Sequence, residues 1–248
     1  MKRNIILGLI GLLLSWVVVQ AQKSPKANTS TSPVTSGSSI TITPNSTPLE
    51  LARAALAAQG GEKFKHLENM MLSGTVNIYP ASSPQSISGK FLWITAGERL
   101  RIELNAQPLV IKQIFDGQRS YSSIPGLQLG TPKSFGLALL RKFDQPGYTV
   151  SALSNRKKLR GFSIGDAEGH VTEFYIDPDT GRVMMYRIAN KQFTFATEHS
   201  NLQEVDGVLV PYNFTQKLEM PQGTFYLEFK VKEAKVNQPL GDDVFAMP

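Results

Sequence analysis

From Asn69 to the C-terminus, apolar and polar residues alternate with a period of two, in runs of a length suited to strands. The runs lie near 70 to 79, 86 to 95, 98 to 105, 109 to 115 and 118 to 123, then near 148 to 154, 158 to 164, 170 to 176, 182 to 189, 192 to 203, 207 to 218 and 223 to 235. Turn residues separate them, as in "DAEG", "DPDTG", "VDG" and "MPQG". Alternation is cleanest at 99 to 104, where Leu100, Ile102 and Leu104 interleave with Arg99, Arg101 and Glu103, so that one face is buried and the other wet. "FDGQ" at 115 to 118 supplies Asp-Gly, which favours a two-residue hairpin turn.

The period changes to that of a helix in two places. "PLELARAALAAQGG" begins at Pro48 with Thr47 as N-cap and closes on Gly60 and Gly61, and Leu49, Ala52, Leu56 and Gln59 mark one side. A second short turn of helix carries Phe64 and Leu67. "TPKSFGLALLRKF" has Thr131 as cap, Pro132 at the first helical position, and Phe135, Leu139 and Phe143 at spacing four. About twelve strands against about two helices predict a mainly β (α+β) fold. It is a long antiparallel meander in one highly curved sheet, with helices added, not a parallel α/β fold.

The first 47 residues belong to neither pattern. Lys2 and Arg3 precede a fifteen-residue uncharged run from Ile5 to Val19, and Val19-Gln20-Ala21 suits cleavage after Ala21. Residues 1–21 therefore read as a secretory signal or, uncleaved, as an anchor in the inner membrane, and in both cases the body is exported. Residues 22–47 are mostly Ser, Thr, Pro, Asn and Gly, too poor in apolar surface to offset the entropy of ordering, and form a linker. Residues 48–248 form the folded domain; 41% hydrophobic and 9% aromatic content is enough for a packed core. With no cysteine, the chain has neither disulfides nor a lipidated Cys, and the core alone must stabilise it.

Charge narrows the partners. Losing residues 1–21 with Lys2 and Arg3 takes the formal charge from +6 to +4, a mild excess. The densest basic run, "RKKLR" at 156 to 160, is a candidate contact for an anionic membrane surface. Nucleic acid is not expected, because no basic stripe with interleaved aromatics accompanies it.

Catalytic and metal chemistry find little support. "GFSIG" at 161 to 165 fits the G-x-S-x-G elbow of serine hydrolases, with Asp166, Asp177 and His199 in the right chain order. The elbow needs a helix directly after the serine, whereas "DAEG" and the strand "HVTEFYI" follow, so Ser163 reads as a strand residue. His66, His170 and His199 lack metal-ligand spacing, and "DPDTG" is half a calcium loop that a hairpin turn explains. No enzyme, metal or cofactor is expected.

What remains is apolar surface on the strand faces: Phe91 and Trp93; Leu100, Ile102 and Leu104; Phe174 and Ile176; Met184, Tyr186 and Ile188; Phe193 and Phe195; Phe225, Leu227 and Phe229. Such residues fill a core or line a cavity, and a curved sheet with only two modest helices leaves room for the second.

"GKFLWITAGERLRIEL" at 89 to 104 and "IFDGQRSYSS" at 114 to 123 resemble the G-x-L-W…R strand pair and D-G hairpin of the LolA/LolB-like outer-membrane lipoprotein carriers. "YIDPDTGRV" and "VDGVLVPYNF" extend the resemblance more loosely over most of 48 to 248. It implies a periplasmic half-barrel whose concave face, lidded by helices, takes up acyl chains of lipoproteins or similar lipids. The long Ser/Thr linker departs from the carrier pattern.

A chain of about sixteen carbons, at ~0.8 kcal/mol per buried CH₂, gains roughly 13 kcal/mol before ordering costs, so release requires incomplete enclosure or a competing lid. Phe135, Leu139 and Phe143 are given that lid role. The resemblance also implies that Arg101 holds the lid closed, although alternation puts it on the face opposite Leu100 and Ile102 unless a bulge turns it. The alternative to a carrier is an envelope protein-interaction module with a filled half-barrel; a hydrolase using Ser163 comes third.

Overall fold

The computed structural model describes residues 41–81, 85–124, 136–189, 194–220 and 223–248. Helices α1 (Pro48–Ala58) and α2 (Glu62–Lys65) precede a run of five strands: β1 (Asn69–Tyr79), β2 (Ile87–Ala96), β3 (Arg99–Ala106), β4 (Leu109–Phe115) and β5 (Ser120–Ser122). After α3 (Leu137–Leu140) come β6 (Thr149–Arg156), β7 (Leu159–Gly165), β8 (Val171–Ile176), β9 (Val183–Ala189), β10 (Thr194–Val205), β11 (Val208–Met220) and β12 (Gly223–Val236). All twelve lie within two residues of the segments marked by alternation. The export segment, most of the linker, Thr131, Pro132, Phe135 and Phe193 lie outside the described residues.

The strands form one antiparallel sheet in the order β5-β4-β3-β2-β1-β12-β11-β10-β9-β8-β7-β6. Within β1–β5 and within β6–β12 each strand pairs with its sequence neighbour by a hairpin or short link, and the distant pairing of β1 with β12 joins the two meanders. β5 and β6 end up as opposite edges, so the sheet curves without closing into a barrel. Two glycines on its concave side permit close backbone approach. A Cβ at Gly74, beside the β1–β12 bulge, would stand 2.0 Å from Lys230 O, and one at Gly89 would stand 2.2 Å from Asn105 O.

α1 starts where the sequence places it. Pro48 occupies its first turn, and Thr47 and Glu50 form a reciprocal capping box: Glu50 N–H donates to Thr47 Oγ1 at 3.3 Å and Thr47 N–H to Glu50 Oε2 at 2.7 Å. Leu51, Ala52 and Ala55 bury its inner side in the core, in contact with β6 and β7. Packing begins upstream of Pro48, since Ile42 lies against the core and the Arg160 guanidinium donates to the carbonyls of Thr43 and Ser46. The last residues of the Ser/Thr segment thus lie on the domain.

Two local expectations are corrected. The helix expected over 131 to 143 is a single turn in its described part, because Gly136, at φ +63°, precedes it without a side-chain cap and three-residue turns follow Leu140. The Asp-Gly hairpin is a four-residue loop, 116–119, in which the Asp116 carboxylate accepts the amides of Gln118 and Arg119.

The register assigns side chains to faces. Leu100 sits opposite Thr95, Ile102 opposite Trp93 and Leu104 opposite Phe91, all on the concave side where the helices pack. Phe214 and Phe229 stack there with centroids 4.5 Å apart, and Phe91 meets Phe229 edge-on at 5.0 Å. Across the sheet Phe162 and Phe174 stack at 5.2 Å. On the convex side Ile94, Ala96 and Ile114 form a second, smaller cluster under Phe245 of the C-terminal segment.

Candidate functional site

Between these aromatic clusters the concave face is not filled. α2 and α3 have four residues each, too short to cover the sheet, and a cavity of about 220 Å³ lies beneath them. Phe64, Leu67, Met70 and Leu72 line it from the α2–β1 corner, Trp93, Leu100 and Ile102 from β2 and β3, and Tyr186, Ile188, Phe195, Thr197, His199, Pro211 and Phe214 from β9 to β11. Gly136, Leu137, Ala138 and Arg141 roof it. Glu68 and Gly97 are exposed, whereas Thr197 and His199 are buried, so the cavity opens beside β1 and β2 and ends on β10.

Its walls are mostly apolar, with a few placed polar groups. His199 Nδ1–H donates to Val183 O at 3.0 Å, which leaves Nε2 as the unprotonated nitrogen. Burial pushes its pKa down to about 4, so the ring is neutral at physiological pH. Tyr186 packs edge-on to that ring at 5.6 Å, and burial raises its phenol. Gly136 N–H donates to Thr172 Oγ1 at 3.1 Å, which fixes the roof to β8, and a Cβ at Gly136 would press on the Tyr186 ring at 3.2 Å.

Arg141 is half-buried and spans the roof. Its Nε and Nη2 donate to Lys65 O at 3.1 Å and Nη2 to Leu67 O at 2.6 Å, tying α3 to the α2–β1 corner, with Phe64 6.0 Å from the guanidinium carbon. Burial lowers its pKa.

Of the residues expected on a cavity, Trp93, Leu100, Ile102, Tyr186, Ile188 and Phe195 line it. Phe91, Leu104, Phe174, Ile176 and Phe229 are instead packed into the core, and Leu227 lies against it. Phe225 and Met184 are half-buried and away from the cavity; at the β8–β9 bulge Val183, not Met184, stands opposite Ile176. Leu139 and Phe143, expected as lid residues, are buried core anchors, and Leu137 and Ala138 are the ones that face the cavity.

Arg101 does not reach a lid helix. With no bulge in β3 it stays on the convex face, where Nη2 pairs with Glu103 at 2.6 Å and Nη1 donates to Val244 O at 2.7 Å. The arginine that ties a helix over the cavity is Arg141. The charge pair Arg141–Lys142 within the otherwise apolar run "GLALLRKF" was its sequence signal, and the parity of β1 was the signal for Met70 and Leu72. Phe214 could be assigned only through its cross-sheet partners Phe91 and Phe229.

The serine-hydrolase arrangement is not formed. Ser163 stands opposite Ser151 and Glu173, and through Arg187 and Ala196 that row runs along the convex face, whereas His199 is on the concave one. Asp177 caps its own turn by accepting the amides of Asp179 and Thr180. The β7–β8 turn brings Asp166, Glu168 and His170 ligand atoms within 4.8 Å of one another, with Asp166 accepting the amides of Glu168 and His170 and contacting His170 Nδ1 at 2.9 Å. The basic run at 156–160 is the β6–β7 hairpin. Arg156 and Arg160 bond within the domain, and Lys157 and Lys158 remain exposed.

No family model matches the chain, and no curated protein matches it. Solved structures do resemble it. A LolA superfamily protein from Nitrosomonas europaea is 10% identical, with 78% of this chain and 97% of that one covered at a TM-score of 0.49. A putative outer membrane lipoprotein-sorting protein domain from Vibrio parahaemolyticus is 9% identical, with 80% and 95% covered at 0.48. A DUF1329 family protein from Desulfovibrio piger is 9% identical, with 81% and 98% covered at 0.45.

Proposed function

We propose that this chain is a non-catalytic periplasmic carrier or binding protein that takes acyl chains of lipoproteins or other lipids into the cavity under α2 and α3. The observation that carries the reading is the cavity itself, an apolar space on the concave face walled by Phe64, Leu72, Trp93, Ile102 and Phe214. The sequence resemblance over 89 to 104 and 114 to 123 points the same way, and the apolar run from Ile5 to Val19 supports export.

Size refines the binding energetics. An apolar cavity of roughly 150 Å³ holds one benzene ring, so 220 Å³ accommodates about nine carbons by proportion. At ~0.8 kcal/mol per CH₂ that is about 7 kcal/mol before ordering costs, well short of what a fully enclosed sixteen-carbon chain gains. A longer chain is therefore held by one end and leaves the rest for an acceptor, which suits transfer.

The test is mass spectrometry of the protein purified from its native envelope without detergent, paired with displacement of a fluorescent fatty-acid probe. Co-purified lipid or lipoprotein, and probe binding that Ile102→Glu abolishes, is the expected result. Reproducibly lipid-free protein that binds no probe would overturn it in favour of an envelope interaction module.

A further inference from the structure

Arg141 is the feature of the cavity that apolar binding does not use. The residue lines the space, is half-buried, and satisfies Nε and Nη2 with the main-chain carbonyls of Lys65 and Leu67. Those carbonyls carry only partial charge, so among the described residues the full positive charge is left without a carboxylate partner. The nearby acids are occupied or wet: Asp144 pairs with Lys65 at 2.5 Å, and Glu68, which also lines the opening, is exposed to water. The contrast with Arg101 is direct, because that arginine is neutralised by Glu103 at 2.6 Å. A partly desolvated cation with no counter-charge is costly to keep, and a bound anion would remove that cost.

Resting on the acyl-binding reading above, we infer that the cavity selects amphiphiles with an anionic head, the head meeting Arg141 at the roof while the chain enters between Trp93, Ile102 and Phe214. Two carbonyl anchors hold the guanidinium in one position, and Nη1, which takes part in neither anchor bond, supplies the donors. The deep end is lined by neutral His199, Thr197 and Tyr186, so among the described lining residues the head finds its cationic partner at the roof. A carboxylate and a phosphate monoester share the required chemistry.

The experiment displaces a neutral naphthylamine probe from wild-type protein with decanoate, decyl phosphate, decan-1-ol and a decyltrimethylammonium salt, a chain length the cavity nearly encloses. Decanoate or decyl phosphate is expected to displace the probe at a concentration about tenfold lower than decanol, with the ammonium weakest. Comparing the two anions distinguishes a carboxylate head from a phosphate head. The margin should shrink in roughly 1 M salt. Arg141→Gln should erase the margin between the anions and decanol, read as a ratio within the variant so that any change in overall affinity cancels, and Arg141→Lys should retain part of it. Equal displacement by anions and decanol on the wild type overturns the anion inference and leaves acyl binding standing. Displacement by none of the four overturns both, and because the wild-type comparison decides, a variant that fails to fold does not.

Discussion

The two faces of β2, β3 and β4 are finished in different ways. On the convex side Ile94, Ala96 and Ile114 lie under Phe245, with Arg99 4.6 Å from the centre of that ring and Arg101 bonded to Val244 O. On the concave side Trp93, Leu100 and Ile102 look into an open cavity. The same alternation generates both faces, and the difference lies in what covers them. The C-terminal segment, which turns at 242–245, lays several apolar residues along the sheet, whereas α2 and α3 are single turns that leave space beneath. The two arginines follow the same division. Arg101, paired with an acid, is a clamp for the covered face, and Arg141, whose partners among the described residues are carbonyls, ties the roof of the open one.

The largest expected effect breaks the concave side. Ile102→Glu places a carboxylate among Trp93, Leu100 and Phe214 and should cost about 3–5 kcal/mol in denaturant unfolding, with loss of probe binding. Glu103→Gln, one position along and on the other face, should cost well under that. Equal damage from the two would mean the register is wrong.

The next is a pH effect confined to the concave face. The folded pKa of His199 is about 4 against roughly 6.5 unfolded, so between these values the unfolded chain binds the extra proton. The stability that the neutral ring contributes is complete above pH 6.5 and falls as pH drops towards 4, by about 3 kcal/mol in all. His199→Gln should flatten that slope in urea melts taken across the window, and an unchanged slope would show that the ring is not buried neutral.

Smaller effects belong to the convex side. Phe245→Ala should cost about 2 kcal/mol, less than a central core deletion because the segment can peel away on its own, and should speed amide exchange at Ile94 and Ile114. Arg101→Leu should cost about 1 kcal/mol and leave lipid transfer to vesicles unchanged, whereas a lid latch would alter transfer. Arg99→Leu, which loses only an exposed cation–π contact, should cost about 0.5 kcal/mol. A change in transfer from Arg101→Leu alone would couple the two faces and end the division between them.

The sequence by itself determined the elements and the faces. A period of two fixes which side of a strand each residue takes, so the segment bounds, the parity of Leu100, Ile102 and Leu104, and the convex position of Arg101 were all readable before any packing was known. The Thr47–Pro48–Glu50 start of α1 was equally local, since a cap depends on neighbours three residues apart. Only the tertiary structure decided which concave residues meet another side chain and which meet space. Phe91 is filled against because Phe214 and Phe229, more than 120 positions away in the chain, arrive through the β1–β12 pairing. Trp93 and Ile102, two strand positions from core neighbours, face a void because Gly136 ends the reach of α3. Alternation is a property of one strand, whereas a cavity is what remains when distant elements have packed as far as their lengths allow, and no local period encodes that remainder.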